Sequence, residues 1–252
     1  MNRAIASALA ISIFSLSWSA GYAIVTRHDI PDSRYLELAD TVPAPIVLLT
    51  NDVGSADGMG TWIAPDWILT AAHVGEMIAV GDAVGAMQEY QVAQVIVHPA
   101  WPDTPVDVAL IRISQNAEGV RAVEVCEVTD LDDEVVTFVG AGDSGTGKTG
   151  PTNADGKMRA ARNAIVFADE YFVTFDFDAP RSGGAMELEG ISGPGDSGGP
   201  AYLPTETGFC VLGVSSGQDS EASGGLEGRY GVVEYYSRVD VLWDWIKTVI
   251  SP

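Results

Sequence analysis

Basic residues, histidine and cysteine are all scarce in this chain of 252 residues. Thirteen Lys and Arg stand against 35 Asp and Glu, for a formal net charge of −22. Such acidity argues against nucleic-acid binding, which needs a basic footprint. The acidic residues are expected to coat the surface for solubility rather than to recognise a cationic partner. With three histidines, His28, His73 and His98, any chemistry that needs an imidazole has only three candidates. Two cysteines, Cys126 and Cys210, permit at most one internal bridge, and their spacing does not tell a bridge from two buried thiols. After residue 23 no apolar run is long enough to anchor the chain in a bilayer.

The first residues read as an export signal. Within Met1 to Ala23 the only charge is Arg3, Ala4 to Ala20 is apolar, and Gly21-Tyr22-Ala23 places small residues at the cleavage positions. The product would be secreted or periplasmic, where a disulfide is chemically possible. The rest is long enough for two modest cores. Short β-rich runs such as Ile46–Leu49, Gln94–Val97, Val108–Ile113, Val135–Val139 and Tyr171–Phe175 alternate with Gly- and Pro-rich connections, the pattern of an all-β sandwich or barrel. Helical periodicity is clear only near the end, where Val239, Leu242, Trp243, Ile246, Val249 and Ile250 fall on one face. Residues 142–162, rich in Gly, Thr, Asp and Lys, read as a long exposed loop.

The run Gly193-Pro194-Gly195-Asp196-Ser197-Gly198-Gly199-Pro200-Ala201 is hard to explain as packing. Glycines around a serine let a substrate backbone approach and let N–H groups converge on a developing oxyanion. A serine hydroxyl needs a base within hydrogen-bond reach. His73 follows the strand-like Trp67-Ile68-Leu69 among small residues that let its ring emerge. Asp107 sits in Val106-Asp107-Val108-Ala109-Leu110-Ile111, and a carboxylate among apolar residues is costly unless paired. Alone, each has a plainer reading: a capping serine, a core histidine, a turn aspartate. The G-x-S-x-G elbow of α/β-hydrolases fails here, because its histidine follows the serine and none does in this chain. A second Gly-Asp-Ser-Gly, at 142–145, lacks the following Gly-Pro, so Ser144 is read as ordinary.

In that order, TAAH at His73, DVALI at Asp107 and GDSGGP at Ser197 resemble the trypsin/chymotrypsin-like serine proteases, from about Pro45 to the C-terminal helix. The resemblance implies two six-stranded antiparallel β-barrels with the active site in the cleft between them, plus a C-terminal helix at about 239–250. Residues 24–125 would form the first barrel, with His73 and Asp107, and 126–252 the second, with Ser197. It further implies a secreted monomeric endopeptidase acting on polypeptides, with no cofactor or metal and no membrane anchor. The N–H groups of Gly195 and Ser197 would form the oxyanion hole. His98-Pro99 looks like a structural dipeptide before the aspartate, and Gly140-Ala141-Gly142 like the opening of the second barrel's long loop. Val214 to Gly217 resembles the segment beside the substrate, with Ser215 as the partner of Asp107 and with Ser215, Ser216 and Gly217 in substrate binding. Val74 and Met59 stand where a bridge usually braces the histidine loop.

Activation and specificity follow from the same resemblance. A freed amino group on Ile24, followed by Val25, would pair with Asp196 and shape the oxyanion hole, although Thr26-Arg27 replaces the usual glycines; an ordinary strand start is the alternative. Ile191 falls at the pocket base, without the aspartate that selects basic side chains. Glu234 falls on a second pocket position, where an unpaired buried carboxylate would favour cleavage after Arg or Lys. A Glu234 that plugs the pocket or faces solvent would instead favour apolar or small residues. A zymogen-like binding protein and an esterase-like acyl hydrolase are the two other functions this fold and these residues allow.

Overall fold

A computed structural model describes residues 24–48, 58–85, 88–128, 130–131, 133–153 and 155–251. The expected signal segment, 1–23, lies outside them. The described chain opens with β1 (Val25–Thr26) and α1 (Asp32–Ala39). A first sheet then contains β2 (Ile46–Leu48), β3 (Gly58–Ala64), β4 (Trp67–Thr70), β5 (Ala83–Val84), β6 (Tyr90–Val97) and β7 (Ala109–Ile113), with the single-turn α2 (Ala72–Gly75) after β4. Its six strands pair antiparallel in the order β2-β3-β4-β7-β6-β5. Period-two alternation divides their side chains between two cores. Ile68, Ile111 and Ile113 fill the first barrel with Leu48 and Trp62. Trp67, Leu69 and Leu110 point the other way, into a larger core shared with the second barrel.

The second half comprises β8 (Glu124–Val125), β9 (Val135–Gly140), β10 (Ser144–Thr146), β11 (Gly150–Asn153), β12 (Arg159–Ala164), β13 (Phe167–Ala168), β14 (Phe172–Asp176), β15 (Gly190–Ile191), β16 (Pro200–Thr205), β17 (Gly208–Asp219), β18 (Val233–Arg238) and α3 (Trp243–Ile250). Its main sheet runs β12-β9-β16-β17-β18-β14-β13, and β8 pairs in parallel with β17. The sheet has eight strands rather than six, because β8 and β13 add two-residue flanks to the antiparallel series. Phe138 stacks on Tyr236 and meets Phe175 edge-on, both at 4.8 Å, at the centre of this core. The architecture is all-β, two curled sheets and a short terminal helix. Among the described residues no helix is long and apolar enough to cross a membrane.

Three features depart from the sequence reading. The segment 142–162 is not an open loop: β10 and β11 form a hairpin, and β10 pairs in parallel with β1, which pairs in turn with β15. Ser144 is held in that hairpin, its hydroxyl donating to the Asn153 carbonyl. Secondly, residues 24–39 pack on the second barrel rather than the first. Tyr35, Leu38 and Ala39 of α1 enter the core that holds Ala160 and Ala161 of β12, and buried Arg159 bonds Asp32 at 2.6 and 2.9 Å. Lastly, the terminal helix starts at Trp243, because the Val239 N–H still donates to the Leu212 carbonyl and Asp240–Leu242 form a 3₁₀ turn. Trp245 reaches back across the barrels to meet the His98 ring at 4.6 Å.

Cys126 and Cys210 are joined, with an S–S distance of 2.02 Å. The bridge ties the strand that enters the second barrel to β17, the longest strand described.

Candidate active site

All four residues of β4 are buried, and the strand ends at Ala71, whose extended backbone opens α2. Ala72, Val74 and Gly75 of that turn face inward. His73 is thereby turned outward, with 32% of its side chain exposed. No bridge braces the turn; Val74 instead packs on Gly58, where an added Cβ would come within 2.7 Å of both valine methyls. Gly58, not Met59, is therefore the residue that faces Val74.

Asp107, 2% exposed, lies just before β7 and grips His73 twice. Its Oδ1 accepts the His73 backbone N–H at 3.0 Å, and its Oδ2 lies 2.7 Å from His73 Nδ1. An ionised carboxylate only accepts, so Nδ1 carries the proton and Nε2 is left as an acceptor. Burial alone would push the Asp107 carboxyl up, but the His73 ring and N–H and the Ser216 hydroxyl together hold it below the usual carboxylate range. The Ser216 Oγ donates to Oδ2 at 2.7 Å. This corrects the expectation for Ser215, whose buried hydroxyl donates to Ser192 Oγ instead. A register shift in β17 between Ser215 and Gly217 changes which side chain faces the first barrel.

The Ser197 turn is sewn to both barrels. Its carbonyl accepts the Met59 N–H at 2.7 Å from β3, while Gly198 N–H donates to Ser215 and Ser215 N–H to Gly199, both at 2.8 Å. A Cβ on Gly198 would lie 2.2 Å from Thr70 Oγ1 and 2.9 Å from Ala71 N, so the serine turn rests against the entry to the histidine turn. Ser197 is half-buried, and its Oγ forms no hydrogen bond among the described residues; such contacts are often long in resting sites and tighten with substrate. The N–H groups of Gly193, Asp196, Gly198 and Gly199 all have protein acceptors. Those of Gly195 and Ser197 have none among the described residues. Gly195 adopts φ 88°, a conformation that turns its N–H without a side-chain clash.

Beneath this turn, Asp196 is fully enclosed. Its Oδ1 accepts Gly142 N–H at 2.6 Å, and its Oδ2 accepts Gly193 N–H and Ile24 N at 2.9 Å each. The carboxyl fits because Gly140 and Gly142 have no side chains: a Cβ on Gly140 would come within 2.1 Å of Oδ1. Burial pushes Asp196 up to about 6, with the three N–H donors opposing it.

The remaining residues expected at the substrate are scattered. Ile191 is sealed among Val25, Phe177 and Val232, away from solvent. Gly217 is exposed, with open space where a side chain would start. Glu234 is fully buried but not unpaired: Ser192 donates its N–H at 2.8 Å to one oxygen and its hydroxyl to the other. Burial pushes that carboxyl up to about 8. Sequence reasoning missed Ser192 and Gln218, whose Nε2 donates to the Ser192 carbonyl at 2.7 Å. Ser192 directly precedes the serine motif and Gln218 directly follows the Val214–Gly217 segment, which were the available signals. Among the described residues no group of three His, Cys, Asp or Glu side chains is gathered to hold a metal.

Comparison with known proteins gives the same outline. The chain is 28% identical over 261 residues to chymotrypsin-like elastase family member 3B of Macaca mulatta, covering 92% of this chain and 99% of that protein. It is 26% identical to the human family member 3A, covering all of this chain and 99% of the relative. An uncharacterised peptidase of Corynebacterium glutamicum is also 26% identical, over 91% of this chain and 80% of its own length. The family model described as trypsin matches residues 47–246, from β2 into the terminal helix, and by that match the chain belongs to the trypsin-like serine protease family.

Proposed function

We propose that this protein is a secreted serine endopeptidase whose catalytic residues are His73, Asp107 and Ser197. The observation that carries the reading is the pairing of Asp107 with the His73 backbone N–H and Nδ1, beside a turn in which the N–H groups of Gly195 and Ser197 have no acceptor among the described residues. Ser197 Oγ attacks a peptide carbonyl while Nε2 takes its proton, and the imidazolium so formed is stabilised by Asp107. The oxygen of the tetrahedral intermediate gains the two free N–H donors. Loss of one such donor typically costs roughly 2.7–4 kcal/mol of transition-state stabilisation. Nε2 then protonates the leaving amine, and water repeats the sequence on the acyl-enzyme.

Activation by cleavage after Ala23 is part of this proposal. Ile24 is buried, and its N–H donates to Asp196 Oδ2 at 2.9 Å. Cutting the bond before Ile24 leaves an ammonium beside a buried carboxylate whose donors are otherwise neutral N–H groups. Preference for Arg or Lys had its basis in an unpaired Glu234, and Ser192 supplies that pair.

Labelling of the secreted protein with diisopropyl fluorophosphate, with Ser197→Ala as control, tests the catalytic reading. A folded, unlabelled wild type would instead make the protein a binder, and hydrolysis of esters but not of protein would make it an esterase. Edman sequencing of active material should begin at Ile24; a start well downstream would refute the activation step.

A further inference from the structure

Backbone pairing fixes residues 24–26: Ile24 N bonds Asp196, and Val25 and Thr26 pair with Ile191 and Gly190 of β15. One residue further on, a side chain takes over from the ladder. The Tyr35 hydroxyl accepts the Arg27 N–H and donates to the Glu189 carbonyl, both at 3.1 Å, so it ties the residue after β1 to the residue before β15. Tyr35 is buried, and burial pushes its hydroxyl well above the ordinary 10, so the donor persists at alkaline pH. The helix that carries Tyr35 is pinned at its first residue. Asp32 holds the Arg159 guanidinium of β12 at 2.6 and 2.9 Å, and Asp155 binds the same group twice at 2.8 Å. Arg27 adds a bond from Nη1 to the Met186 carbonyl at 2.7 Å. Residues 27–35 are thus tied to the stretches that lead into β12 and β15. Without that hold, seating Ile24 means ordering the whole run to Ala39, at a conformational cost that grows with each residue fixed. With it, only Ile24, Val25 and Thr26 remain to be ordered.

We propose that α1 is a latch for the amino terminus: Tyr35 and the Asp32–Arg159 pair keep residues 27–35 docked, so that the Ile24 ammonium stays seated on Asp196. Tyr35, Asp32 and Arg159 are then positioning residues that act on the oxyanion hole through Ile24. The inference rests on the peptidase reading and its activation step. The seated terminus faces Asp196, on which the charges of Asp143 and Glu234 also bear. Beside the latch, the Glu189 carboxyl is pushed up to about 7 by burial, accepts the Asp178 and Met186 N–H groups, and has Asp178 and Arg27 as charged neighbours. None of these groups changes in the variants below, so a difference between the proteins reports the latch.

The test uses the mature protein beginning at Ile24, with Tyr35→Phe, which keeps the buried ring, and Asp32→Ala, which leaves Arg159 paired with Asp155. The first readout is kcat/KM on a peptide p-nitroanilide across the alkaline range, where activity falls as the terminus loses its proton. A seated ammonium puts the wild-type midpoint above about 8, the upper end for a free α-amino group. Each variant should lower that midpoint by about one pH unit, which corresponds to seating weakened about tenfold. The second readout needs no activity: carbamylation of the Ile24 amine by cyanate at pH 7, followed by mass spectrometry, should be about tenfold faster in each variant. An unchanged midpoint and unchanged carbamylation in both variants overturn the latch. So does an equal loss of activity at every pH with Ile24 still protected, which would mean that α1 only braces the barrel. Failure of both variants to fold overturns it as well, because those contacts would then be holding the barrel rather than the terminus. Diisopropyl fluorophosphate labelling of wild type separates the failures. An unlabelled wild type sinks the peptidase reading, and a labelled one whose Ile24 reacts as fast as a free peptide sinks the activation step. The latch alone fails when wild type is labelled and protected and both variants match it.

Discussion

Replacing Glu234 with glutamine should make the protein more stable above neutral pH and change it little in acid. The carboxyl is sealed, and burial pushes it from the ordinary 4.5 to about 8. Below pH 4.5 it is protonated in both folded and unfolded chains and contributes no pH dependence. Between 4.5 and about 8 the unfolded chain releases its proton while the folded chain keeps it, so stability falls as pH rises. The slope approaches about 1.4 kcal/mol per pH unit, and the accumulated loss is on the order of 5 kcal/mol above pH 8. Glutamine has nearly the same shape, can accept the Ser192 N–H and can donate to the Ser192 hydroxyl, but it does not titrate. Asp196, which faces Glu234 and is also raised by burial, is common to both proteins and largely cancels in the difference. Urea unfolding at pH 4 to 9, with Ser197→Ala in both proteins to prevent self-digestion, gives the comparison. A stability difference that stays flat with pH, or that favours Glu234 at pH 9, would refute the reasoning.

Three other expectations follow from the site and its support. Asp107→Asn should keep substrate binding but lower kcat by about 10⁴-fold, because an amide no longer enforces the tautomer that leaves Nε2 free; steady-state kinetics on a peptide substrate measures this. Ser216→Ala removes one hydrogen bond to Asp107 and should lower kcat by up to about tenfold, while Ser215→Ala, which touches Ser192 instead, should spare kcat in the same assay. Replacing both Cys126 and Cys210 with serine opens a loop with a sequence separation of 84, at an expected cost of about 4.5 kcal/mol in unfolding free energy. Denaturant titration of the oxidised wild type and the double variant reads that difference.

The chemistry was more legible than the geometry around it. Three short motifs spelled out an imidazole, an enclosed carboxylate and a serine among glycines, because each needs unusual neighbours that leave a mark on a few adjacent residues. Short β-rich runs between glycine and proline turns likewise pointed to an all-β chain. The eight residues of α1 were not legible, since Tyr35, Leu38 and Ala39 make too short a stripe to separate from coil. The β10–β11 hairpin was hidden for a related reason: its strands contain Gly, Pro, Thr and Asn, and Val25 and Thr26 support it by pairing alongside β10.

Composition and order along the chain determined the strongly acidic balance, the all-β character and the residues able to carry nucleophilic chemistry. Tertiary structure decided which groups meet. It chose Ser216 over Ser215 for Asp107, because an irregularity in β17 inverts the alternation of side chains. It also joined Cys126 to Cys210, brought Ile24 to Asp196, and gave Glu234 a partner in Ser192 with Gln218 across the top. Those pairings join residues far apart in sequence, and they depend on strand register and burial, which local residue patterns do not encode.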